Sequence, residues 1–173
     1  MANKTRYGLG LALALIVLQL LLFLLGYETD KIGTLGAKIL PWLGFIVTAA
    51  VIWLGVRAVR EASPDRSLTY GQGLLAGIVI VLVAGLAAAV YSFIHYTFIN
   101  PHFSDYMMVY VRQQWEAAGM TETAMEKAEG VTRIFFRPPV IVVTTFIGRV
   151  FSGTICSLII AAILKRKPAA PAA

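Results

Sequence analysis

The residue best placed to do chemistry in this chain is an arginine inside an apolar run. Arg149 lies ten residues after Pro139, about 15 Å along a helix at 1.5 Å per residue. A cation at that depth costs about 2.5–3.5 kcal/mol on insertion scales, so it must face protein, water or a partner. Thr145, Arg149, Ser152 and Cys156 recur at i, i+4, i+7 and i+11, which places them in one polar and small stripe facing the bundle. Gln19, at a similar depth in the first apolar run, is the best partner within the chain. Two uses are open. Arg149 could form an anion or lipid-headgroup site, or it could bond Gln19 or a backbone carbonyl and fix the packing. The candidate intramembrane site is therefore Arg149, Gln19, Thr145 and Ser152.

Other chemistry has less support. His95, His102 and Asp105 could together hold a metal, but their spacing crosses the Asn100-Pro101 break and matches no metal signature. Tyr91, Tyr96, Tyr106 and Tyr110 read more simply as an aromatic belt at a membrane surface. There is no G-x-S-x-G elbow, P-loop or H-E-x-x-H, and Cys156 has no polar activator near it in sequence. One cysteine also excludes a disulfide framework within the chain. No catalytic residue, cofactor or metal ligand is assigned, and the chain is not read as an enzyme. No carboxylate lies within an apolar run, which weakens a proton- or cation-coupled carrier.

The elements that position the stripe follow from composition. Of the 173 residues, 58% are hydrophobic and 14% charged, against about 45–50% apolar and about 25% charged in soluble domains. Lipid offers no partner for backbone polar groups, so spans must be helices or a closed barrel, and long unbroken apolar runs select helices. The fold expected is an all-α membrane protein, one domain with four transmembrane helices at about 7–27, 39–56, 73–98 and 139–164. The first run follows Lys4 and Arg6 as a secretory signal would. Its 21 residues, roughly 31 Å long, and the lack of an A-x-A pattern make it an uncleaved span. Pro41 opens the second run, Asn100-Pro101 stops the third, and Pro138-Pro139 precedes the fourth. Residues 168–173 read as a disordered tail.

The net charge of +6 does not indicate nucleic acid, because the basic residues flank apolar runs instead of gathering on one polar face. Their distribution sets topology. With both termini in the cytoplasm, the inner segments hold eight basic and two acidic residues, and the outer segments six basic and seven acidic.

The outer connection, 100–137, reads as two short amphipathic helices. Phe103, Tyr106, Met107 and Tyr110 form an apolar stripe on the first, which could rest on the membrane. Gly119 is the break. The second has capping-box spacing at Thr123 to Glu126 and a Glu129–Arg133 pair four apart. Tyr7-Gly8-Leu9-Gly10-Leu11 resembles Tyr70-Gly71-Gln72-Gly73-Leu74, which suggests a duplicated hairpin; chance likeness between Gly- and Leu-rich spans is the rival. Gly73 with Gly77, and Gly148 with Ser152, allow close helix approach, within the bundle or in a homodimer.

Tyr70-Gly71-Gln72-Gly73, Ile99-Asn100-Pro101 and Ser157-Leu158-Ile159-Ile160-Ala161 before Lys165 give the chain a further likeness. It resembles domain-of-unknown-function family 4199 over nearly its whole length. The resemblance implies a small four-span membrane protein of Gram-negative bacteria, and it brings no activity or functional residues. Three readings of function remain. An accessory or structural protein of the bacterial inner membrane leads, with the lipid bilayer as its medium and a homodimer or membrane-protein partner. A small carrier or channel component using Arg149 and Gln19 comes second. An enzyme acting on lipid or envelope substrates comes last.

Overall fold

Glycine, threonine and proline set where the helices stop and start. In the computed structural model, which describes residues 2–166, α1 (Ala2–Leu24) ends because Gly26 takes φ +83. There the Tyr27 N–H reaches the Leu22 carbonyl and the Gly26 N–H reaches that of Phe23, a Schellman closure that requires a left-handed residue. Lys31 Nζ donates to the Leu25 carbonyl at 2.9 Å and covers the same end. A short helix, α2 (Leu35–Ile39), is capped by the Thr34 side chain, and α3 (Trp42–Glu61) starts from Pro41. Thr69 and Gln72 form a reciprocal capping box at the start of α4 (Tyr70–Ile94).

The third run changes helix type where the proline approaches. His95–Ile99 is a π turn, closed by the Asn100 N–H on the His95 carbonyl at 2.7 Å. The Pro101 ring would crowd the carbonyl four residues earlier, and the widened turn lets the chain leave the helix before that clash. Next come α5 (Phe103–Ala117), α6 (Glu122–Phe135) and α7 (Pro138–Leu164). Between α5 and α6, Gly119 takes φ +76 and makes the expected break. The α6 cap is Thr121, whose hydroxyl accepts from the Ala124 N–H, and not Thr123 as the spacing suggested. Thr121 is extended, as an N-cap must be, whereas Thr123 is already in the first turn.

Among the described residues, four helical stretches are long and apolar enough to cross a membrane: Lys4–Leu24, Leu35–Glu61, Tyr70–Ile99 and Pro138–Leu164. The expected count holds, while the second runs past Val56 to Glu61. The expected disordered tail, residues 168–173, falls outside the described residues.

Helix α4 is central, packing most closely on α7 and then on α1 and α3. In lipid the hydrophobic effect does not draw helices together, so contact depends on close van der Waals fit. Gly73 lies against Ala161 and Gly77 against Ser157, so close that a Cβ on Gly77 would overlap the Ser157 side chain. The small-residue spacing in α4 is thus used inside the bundle. By contrast, Gly148 has open space beside it. At the end carrying the termini, Leu68 and Arg166 exchange backbone hydrogen bonds of 2.9 and 2.8 Å, which fastens the end of α7 to the loop before α4.

Candidate functional site

At the opposite end, which carries the α5–α6 hairpin, the bundle interior becomes polar. His95 is 0% exposed. Its Nε2 lies 2.7 Å from Glu28 Oε2 and its Nδ1 lies 3.1 Å from the Tyr91 hydroxyl. A neutral ring fits both contacts, with Nε2–H donating to the carboxylate and Tyr91 O–H donating to Nδ1. Glu28 belongs to the connector after α1, yet its side chain is only 14% exposed. The Asn100 amide also donates to the Glu28 backbone carbonyl, so the π turn holds both the acid and its backbone. Phe23 and Tyr96 pack edge-on to the imidazole, with ring centroids at 5.3 and 4.9 Å.

The arginine has a different neighbourhood from the one expected. Gln19 Nε2 donates to the Tyr96 hydroxyl at 3.1 Å and is not the partner of Arg149. Tyr96 is the acceptor there, and its ring lies beside the Glu28–His95 pair. Arg149 points into the bundle, where Nη1 would be 3.4 Å from a Cβ on Gly44 of α3. Among the described residues its guanidinium has no side-chain hydrogen bond and no ion pair. It lines a cavity of about 250 Å³ together with Gln19, Glu28, Ser92, Tyr96 and Thr145. A second cavity, about 330 Å³, adjoins it between α3 and α7, sharing Pro41, Thr145 and Arg149 and reaching Thr48, Thr144 and Ser152.

The stripe on α7 therefore divides. Thr145 and Arg149 line both cavities and Ser152 the second, while Ser152 Oγ bonds the Gly148 carbonyl of its own helix at 2.7 Å. Cys156 is buried in the apolar core. His95 and His102 have different partners, since His102 is exposed beside Asp105, and the described residues include no cluster of three or more metal-binding side chains. Tyr91 and Tyr96 are not belt residues, because both hydroxyls turn inward to polar partners.

The hairpin is tied by charge. Arg112 bonds Glu122 and Glu129, and Arg133 bonds Glu129 and Asp105, so the expected Glu129–Arg133 pair is part of a larger set. Arg133 holds both Asp105 and Glu129 below their ordinary carboxylate values. The apolar contact differs from the predicted stripe. Met108 and Met125 are buried at 2% and 3% exposure, whereas Tyr106 is 39% exposed. The Phe103 ring packs at a tilt against Tyr96, with centroids 4.6 Å apart, and Tyr110 covers Gly33, so this helix rests on the bundle and its connector.

Sequence reasoning missed Glu28, His95 and Tyr91 as a unit. The available signal was a histidine four residues after a tyrosine in an apolar helix, a pair that shares one face and needs a polar partner. A search of curated proteins and of solved structures returned no match. A family profile described as "Protein of unknown function (DUF4199)" matches residues 6–166, and with nearly the whole chain covered, the protein belongs to the DUF4199 family.

Proposed function

We propose that this protein is an accessory binding protein of the bacterial inner membrane, one that takes an anionic group at Arg149 without transforming it. The observation that carries the reading is a half-buried arginine whose guanidinium has no protein acceptor among the described residues and lines two adjoining cavities. A buried cation left without an acceptor is costly, whereas an anionic ligand would supply charge-assisted hydrogen bonds. Thr145 supplies a further hydroxyl at the same cavity. Binding is favoured over catalysis because both nitrogens of His95, the best candidate base, are already engaged.

The direct test is the full chain purified in detergent, with bound phospholipid or anion identified by native mass spectrometry. Arg149→Gln should lose the bound species while remaining monodisperse; equal retention would defeat the reading. A co-purifying membrane protein, or a dimer that persists without lipid, would support the subunit form of the accessory role.

The orientation proposed has both termini in the cytoplasm, supported by the eight basic residues on that side. In a Cys156→Ser background, a cysteine at Thr123 should label from outside intact cells and one at Ser63 should not. The reverse pattern would overturn it. A carrier is the second reading. Glu28 favours it, because the connector supplies the interior acid that the spans themselves lack. Flux of the bound species into proteoliposomes would promote the carrier over the binding protein.

A further inference from the structure

The cavity at Arg149 holds a fixed carboxylate as well as a cation. Glu28 and Arg149 line the same space, yet no ion pair joins them among the described residues. His95 holds Oε2 of Glu28 and so fixes the carboxylate at the cavity wall. An anion without a positive group would neutralise Arg149 but place its charge close to Glu28, in surroundings where water screens little. A simple cation would meet the converse penalty at Arg149. A molecule carrying both signs satisfies both walls.

We infer that the ligand is a zwitterion of the phosphoethanolamine type, its phosphate on Arg149 and its ammonium on Glu28. The inference rests on the anion-binding reading above. Thr145, on the same wall as Arg149, adds a hydroxyl donor for the phosphate. The size agrees. About 250 Å³ is below the roughly 300–1,000 Å³ of sites for drug-sized ligands, so it suits a headgroup and not a whole lipid. The adjoining space between α3 and α7, bordered by the exposed residues Phe45, Thr144 and Gly148, gives acyl chains a way to stay in the bilayer. The same chemistry in a soluble molecule, glycerophosphoethanolamine, would enter without tails.

The test uses the delipidated full chain titrated with phosphatidylethanolamine and phosphatidylglycerol of identical chains, with binding read by native mass spectrometry. The ethanolamine lipid should bind about tenfold more tightly, as one added charge-assisted hydrogen bond provides. Glu28→Gln keeps an acceptor for His95 and removes the charge, and should bring the two lipids within about twofold of each other. Arg149→Gln should weaken both. If Glu28→Gln does not fold, N-acetylated phosphatidylethanolamine on the unmodified protein reads the same point, and should bind like the glycerol lipid. Competition by glycerophosphoethanolamine would identify a free zwitterion as a ligand, and its failure would assign the site to the lipid; either result supports the zwitterion. Equal binding of the two lipids, or a preference that survives Glu28→Gln, overturns the zwitterion and leaves the anion reading standing. Unchanged binding in Arg149→Gln overturns the anion reading itself.

Discussion

Helix α7 meets its neighbours in two ways. Toward the chain termini it lies against α4 through Gly73, Gly77, Ser157 and Ala161, with no room for another methyl group. Toward the hairpin a cavity opens between it and α3 around Arg149, with Thr48, Thr144, Thr145 and Ser152 in its lining. One end is packed for stability. The other keeps polar groups that contribute little to packing, and this separation lets a costly cation be retained without loosening the whole bundle.

The comparison is broken most severely at Gly77. Gly77→Leu forces a side chain into Ser157, and about 3 kcal/mol or more of destabilisation is expected, seen as loss of monodisperse protein or a large drop in Tm in detergent. If Gly77→Leu were tolerated while Arg149→Leu unfolded the chain, the roles of the two ends would be reversed. Next in size is His95→Leu, which leaves the Glu28 carboxylate without its partner and should cost about 1–3 kcal/mol. In a cycle with Glu28→Gln, the two changes should couple by about 0.5 kcal/mol or more; strict additivity would show that the contact contributes nothing.

Arg149→Leu sharpens the contrast from the other side. Removing a half-buried cation that has no protein acceptor among the described residues should leave stability within about 1 kcal/mol, or raise it, while the bound species is lost. A strongly destabilised variant would mean that the guanidinium fixes packing.

The smallest effect belongs to the hairpin. Asp105 and Glu129 are held below their ordinary values by Arg133, so their contribution is complete above the unfolded carboxylate range of about 4. It fades as pH falls below that range and through the lowered folded values. Hydrogen exchange over residues 103–135 should quicken there while α4 stays protected. Equal protection at pH 7 and pH 3 would show that apolar docking alone holds the hairpin.

The four spans were readable because hydropathy and length depend only on local residues. The depth of Arg149 was readable for the same reason. Its partner was not, since the choice between Gln19 and other groups depends on how helices rotate against one another, and the structure gives Gln19 to Tyr96. Glu28 was harder still. It sits on a connector, where an acid attracts no notice, and reaches a histidine 67 residues later only because Gly26 turns the chain back. The inward tyrosines were mistaken for belt residues because span-end position does not reveal which way a ring faces.

The separation in sequence between Glu28 and His95 also bears on how the molecule is made. When α1 leaves the ribosome its acid has no partner, and it can wait in water because the connector stays at the membrane surface. Arg149 has no such refuge, because it enters inside the last span. By then α1, α3 and α4 have been synthesised, and their polar groups can line the space that receives it. Assembly of spans that insert first and associate afterwards would thus place the hardest insertion at the end, where a receiving surface already exists. A chain with α7 moved ahead of α1 would have to insert that cation before the surface was made.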